Sequence, residues 1–130
     1  RTSIVACADN VIQDVVVSGH DRDEIGILIF PNVQGCRSLC SELPPETKID
    51  DLVANKRVRA ALENGLKEYN KKHDSSSTRI TRARFMIEQP NIDANEITDK
   101  GYINQRAVLE RRQELVVKLY SDERHNILIK

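Results

Sequence analysis

The chain has 130 residues, 39% of them hydrophobic, which is the size of one ordinary domain built on one core. Twenty basic residues balance twenty acidic ones, so no net field draws the chain onto nucleic acid, and nucleic-acid binding is disfavoured. No apolar run approaches the ~20 residues that cross a bilayer, and the amino terminus lacks the charged, apolar, small-residue order of a signal peptide, so a cytoplasmic setting without a membrane partner is expected.

In chain order, the opening residues, Arg1 to Ala8, carry apolar Ile4, Val5 and Ala6 without a helix start signal. They read as a helix or connecting segment entered part-way, and so as a piece of a longer polypeptide. Val11 to Ser18 is rich in β-branched residues and reads as a strand. Gly19 to Asp23 reads as a turn, and Glu24 to Phe30 as the second arm of a hairpin. Both faces of that arm are apolar, which marks a central strand, and Pro31 and Asn32 should end it.

Val33 to Ser41 can form one or two helical turns, and Leu43-Pro44-Pro45 predicts an extended linker. Asp50 and Asp51 can cap a short turn holding Leu52 and Val53, and Asn55 is placed to cap a longer helix from Lys56. In that helix Val58, Ala61, Leu62, Leu66 and Tyr69 form one apolar stripe, and Lys71, Lys72 and His73 close it where positive charge suits the dipole.

Ser75 to Ser77 break the pattern, and Thr81, Ala83, Phe85 and Ile87 then alternate with Arg82, Arg84, Met86 and Glu88 as a half-exposed strand with solvated arginines. After Pro90 a polar loop runs to Gly101 and gives way to one helix carrying Val108, Leu109, Leu115, Val116, Leu119 and Tyr120. Ile127 to Ile129 can add a last short strand. The fold class this predicts is α+β, a small sheet of about three strands with a hairpin, packed against two main helices, with residues 1–130 as a single domain.

Three cysteines are an odd number, and Cys7, Cys36 and Cys40 are expected to remain thiols in a cytosolic setting. Cys36 and Cys40 lack a histidine at metal-ligand spacing, and His20, His73 and His125 lie far apart, so no metal site is expected. No Ser/His/Asp constellation or glycine-rich phosphate loop is present, so nothing supports a self-sufficient active site. His20, Asp21, Arg22 and Asp23 cluster in sequence, but Asp and Gly are what tight turns use.

The stretch from Asn95 to Arg112, a polar loop that turns into a helix, holds the strongest candidate. Lys100 is the one lysine between Lys72 and Lys118, and Gly101 beside it frees the backbone to present an ammonium to an anion. The plain alternative is a solvated lysine in a turn. Asp93, Glu96 and Asp99 surround Lys100 in sequence and can orient its loop or cap the following helix.

The segments Asp14 to Pro31, Ser77-Thr-Arg-Ile80 and, above all, Glu96-Ile-Thr-Asp-Lys-Gly-Tyr-Ile-Asn-Gln-Arg-Ala-Val-Leu109 carry a resemblance across nearly the whole chain. They are similar to the carboxy-terminal domain of feruloyl-CoA synthases, within the adenylate-forming acyl-CoA synthetase superfamily. The resemblance implies a mobile lid that works with a large amino-terminal domain of the same enzyme. That enzyme would couple a carboxylic acid, ferulate or another hydroxycinnamate, to ATP with Mg2+, and then pass the acyl group to coenzyme A. The isolated lid would bind neither substrate and be inactive, and Lys100 would serve the adenylation step. The wider superfamily usually places a glycine directly before its loop lysine, whereas here Lys100 precedes Gly101 and Tyr102 takes the strictly aligned lysine position. Tyr102 therefore stays open as the equivalent position. A stand-alone interaction or regulatory α+β module without catalytic activity is the alternative.

Overall fold

The computed structural model describes residues 2–19, 24–73 and 79–129. The predicted turn at His20 to Asp23, the break at Ser75 to Ser77 and the terminal residues Arg1 and Lys130 lie outside them. Helix α1 (Thr2–Cys7) leads into strands β1 (Ile12–Ser18) and β2 (Ile25–Pro31). Helices α2 (Val33–Leu39), α3 (Ile49–Ala54) and α4 (Lys56–Lys72) follow, then strand β3 (Ile80–Phe85). Helices α5 (Gln105–Arg111) and α6 (Gln113–Leu119) and strand β4 (Ile127–Leu128) complete the chain.

The four strands form one sheet in the order β1-β2-β3-β4. β1 and β2 pair antiparallel as the predicted hairpin, β3 lies parallel to β2, and β4 pairs antiparallel with β3. A parallel neighbour needs a crossover, and α2 to α4 supply it. The α+β class holds, and the isoleucine-rich tail supplies a fourth strand.

Sequence alternation explains why the sheet is buried on both sides. Val15, Ile27, Ile29, Ile80, Ala83, Phe85 and Ile127 face α1 to α4. Val16, Leu28, Phe30 and Met86 face Val108, Leu119 and Ile103 on the opposite side. β2, apolar on both faces in sequence, lies in the interior of the sheet, as its composition demands. Pro31 does not stand outside it: as the last strand residue it pairs with Ile12, where a missing N–H is tolerated.

Helix α4 begins where predicted, with Asn55 Oδ1 accepting from Arg57 N at 2.9 Å. It buries Val58, Leu62 and Leu66. Gly65 permits its contact with α1, because a Cβ there would stand 2.5 Å from the Cys7 carbonyl oxygen. Three local expectations change. The N-cap of α3 is Lys48, and Asp50 and Asp51 occupy the first turn, where carboxylates suit the dipole. Pro44 and Pro45 lie in a turn closed by Thr47 N to Pro44 O at 3.0 Å, instead of an extended linker. The final helix is two helices, broken at Arg112.

Cys7, Cys36 and Cys40 are free thiols, Cys36 and Cys40 buried. Burial pushes Cys7 and Cys36 up to about 11 and raises Cys40 as well. Because the thiolate is the reactive form, native Cys7 and Cys36 should react with a disulfide reagent near neutral pH at least ~10²-fold more slowly than in denaturant. All three should titrate in the denatured, unreduced chain; finding one would mean a disulfide.

Candidate functional site

Between β3 and α5 the chain forms a short hairpin of its own, joined by a bridge between Ile97 and Ile103. Thr98 N donates to Tyr102 O at 2.9 Å, Gly101 N donates to Thr98 O at 2.9 Å, and Tyr102 N donates to Thr98 Oγ1 at 3.1 Å. Gly101 takes φ +86°, the left-handed conformation that three-residue hairpin loops call for after an i to i+3 turn. Nothing lies within 4 Å of where its Cβ would be, so the requirement for glycine is conformational, not steric.

Lys100 stands at the tip of this hairpin, exposed, and Tyr102 beside it is 62% exposed. No hydrogen bond or ion pair ties the Lys100 side chain to another described residue. The ammonium is thus held outward on a closed turn.

The base of the hairpin is the opposite case. Glu96 is fully buried, and its carbonyl oxygen accepts from Asn104 N at 2.8 Å, closing the loop. Its carboxylate receives Arg112 as a fork, Nε to Oε2 at 2.8 Å and Nη2 to Oε1 at 2.8 Å. Asn91 N donates to Oε1 at 2.9 Å, and Arg111 Nη1 lies 3.3 Å from the same oxygen. Arg112 spends its remaining donors on Glu88 O at 2.8 Å, Gln89 O at 3.0 Å and the Met86 sulfur at 3.4 Å, and its guanidinium lies 5.1 Å from the centre of the Phe30 ring. One side chain therefore joins the exit of β3, the hairpin and the core. Burial acts to raise the Glu96 carboxyl, but the hydrogen bonds from Arg112 and Asn91, with Arg111, outweigh it and hold the group below its ordinary range.

A second latch follows at once. Gln105 Nε2 donates to Val15 O at 2.8 Å and its Oε1 accepts from Val17 N at 3.0 Å, so the side-chain amide pairs with the edge of β1 like one residue of another strand. Asn104 Oδ1 accepts from Ala107 N at 3.2 Å and caps α5. Of the three acids expected around Lys100, only Glu96 orients the loop; Asp93 and Asp99 are exposed, and the cap is Asn104.

The strand arginines also differ from expectation. Arg82 donates to Leu119 O at 2.9 Å, and Arg84 donates to Asn126 Oδ1 at 3.1 Å and Glu123 Oε1 at 3.2 Å. They tie α6 and the tail to β3 instead of facing solvent, because α6 covers that side of the sheet. His73 stacks on Tyr69 with ring centres 4.2 Å apart. His20, Asp21, Arg22 and Asp23 lie outside the described residues.

Sequence reasoning missed the Glu96–Arg112 pair, although one signal was present. Arg112 sits four residues after Val108 and three before Leu115, on the apolar face of the helix. A charge in that stripe is the informative exception and calls for a buried partner.

Clefts of about 180, 470, 480 and 610 Å3 mark the described surface, the third of them along Asn95, Asn104 and Glu110 beside the hairpin, and Lys100 lines none of the four. No three His, Cys, Asp or Glu side chains converge among the described residues. No described helix is long and apolar enough to cross a membrane.

The family model for the AMP-binding enzyme C-terminal domain matches residues 2–124. The chain belongs to that family. Among solved structures, the A-PCP didomain of carboxylic acid reductase from Segniliparus rugosus, determined in complex with AMP, is similar with a TM-score of 0.62 and 15% identity. The likeness covers 92% of this chain and 15% of the other, and at that identity it bears on the fold. No curated protein matches. As an AMP-binding enzyme C-terminal domain, the chain has a hairpin lysine and a buried anchor on one continuous stretch, Glu96 to Arg112.

Removing one partner of a buried, hydrogen-bonded ion pair costs about 3–5 kcal/mol, so Glu96→Ala should lower the unfolding free energy by that order in denaturant titrations. The folded-state value of Glu96 lies below the ordinary 4.5. Its stabilisation should therefore be complete above that pH and fade as the pH falls through the folded value. Wild type and Glu96→Gln should converge in stability only in acid. Convergence already at neutral pH would contradict the ion pair.

Proposed function

We propose that this chain is the mobile carboxy-terminal domain of an ATP-dependent acyl-CoA ligase and that Lys100 serves its adenylation step. Family membership supports an adenylate-forming enzyme, and the AMP bound in the similar reductase structure agrees with that chemistry. The observation that carries the reading is the outward lysine on a closed, anchored hairpin.

In the proposed reaction a substrate carboxylate oxygen attacks the α-phosphorus of ATP, forming an acyl adenylate and expelling pyrophosphate. The thiol sulfur of coenzyme A then attacks the acyl carbonyl, forming the thioester and releasing AMP. Negative charge accumulates between the carboxylate and the α-phosphate in the first step, and the Lys100 ammonium meets it there. The second step needs a different face of the domain, so the lysine leaves as the domain rearranges.

A large amino-terminal domain of the same enzyme completes this proposal, supplying the nucleotide site, the acyl pocket and the carboxylates for Mg2+. The described residues form no metal cluster of their own, so no step is assigned to the ion on this chain. A hydroxycinnamate such as ferulate is the proposed acid, on the likeness of Glu96 to Leu109 to feruloyl-CoA synthases.

In the full-length enzyme, Lys100→Ala should slow adenylation by ~10²- to 10³-fold, the scale of one electrostatic group aimed at transition-state charge. Thioester formation from supplied acyl adenylate should survive. Each half-reaction is measured separately, by pyrophosphate release and by thioester yield. Adenylation within about threefold of wild type, far short of that loss, would remove Lys100 from the mechanism and turn attention to Tyr102.

A further inference from the structure

No hydrogen bond or ion pair among the described residues fixes Lys100, yet a catalytic ammonium has to arrive in one place. What is fixed is the base of its hairpin. Glu96 lies four residues before Lys100, its carbonyl closes the loop onto Asn104, and its carboxylate is locked to Arg112 through two bonds of 2.8 Å. Arg112 in turn holds the carbonyls of Glu88 and Gln89, at the exit of β3. Gln105 pins the other end to β1. The hairpin thus stands on the sheet at two points, and only its tip, with Lys100 and Tyr102, projects.

We infer that Glu96 and Arg112 are positioning residues for Lys100: their buried fork sets where the hairpin presents the ammonium, so they control adenylation without touching the substrate. This rests on the reading of Lys100 given above. Two features separate the pair from ordinary core packing. It spans the loop on one side and the break between α5 and α6 on the other, so α5 is interrupted at the residue that binds the loop. A pair serving the core alone would not require the hairpin that lies between its partners in sequence to close on the carbonyl of the same glutamate. Arginine is also needed for its shape, since a lysine at 112 would keep the charge but lose the planar fork.

The test uses the full-length enzyme with Glu96→Gln and Arg112→Lys, each alone and combined with Lys100→Ala. Misplacing a reacting group by about an ångström can cost ~10²-fold, so Glu96→Gln should lower kcat for adenylation by ~10- to 10²-fold, with KM for ATP nearly unchanged. Arg112→Lys, which keeps one charged bond, should fall between it and wild type. Thioester formation should be unaffected by either. In the Lys100→Ala background neither change should slow adenylation further, because residues acting through one another do not add.

Hydrogen exchange at the amides of Gly101, Tyr102 and Asn104 is the second readout. It should quicken in Glu96→Gln while the amides of β2 stay protected. Equal loss in both half-reactions, full additivity with Lys100→Ala, or unchanged exchange at these three amides would overturn the inference while leaving Lys100 in place. If Lys100→Ala itself leaves adenylation intact, the lysine assignment falls, and the catalytic meaning of the anchor falls with it even where exchange quickens.

Discussion

The contact between Glu96 and Arg112 holds together parts of the molecule that local sequence leaves independent. A carboxylate and a guanidinium both removed from water repay their desolvation only with near-ideal geometry and with their remaining hydrogen-bonding capacity filled. Both conditions are met. The carboxylate receives the arginine fork and a backbone N–H, and the arginine closes on two carbonyls and lies over Phe30. The low position of the Glu96 carboxyl follows.

The same pair gives the hairpin a rigid base and a free tip. Hydrogen bonds within Thr98 to Tyr102 define the turn, the left-handed glycine completes it, and no described contact restrains Lys100. A lysine held that way suits a group that must enter and leave a site formed with another surface. The chain belongs to the AMP-binding enzyme C-terminal domain family.

Much of the fold was legible where local chemistry and tertiary demand coincide. Asn55 caps α4 and the stripe of Val58, Leu62 and Leu66 buries as its spacing requires; the isoleucines of β2 mark an interior strand. Legibility failed where distant partners decide. The β3 arginines alternate as a solvated face would, but α6 covers that face and Leu119, Glu123 and Asn126 pair with them. One helix carrying Val108 to Tyr120 was expected because periodicity continues through Arg112, but the helix is broken at that residue, whose side chain pairs with a buried carboxylate sixteen residues earlier. The turn at Lys100 and Gly101 was legible in the sequence, whereas the buried pair beneath it was not, since Glu96 and Arg112 meet only in three dimensions.

The central claim is that Lys100 leaves solvent for the nucleotide when the full-length enzyme is ready to adenylate. Lysine acylation by a small activated ester, read residue by residue by mass spectrometry, measures this directly. It is run with no ligand, and with a non-hydrolysable ATP analogue plus the acid. The account predicts that Lys100 reacts freely without ligands and is protected with them, while Lys71 and Lys118 react alike in both. Equal labelling of Lys100 in the two conditions would contradict it.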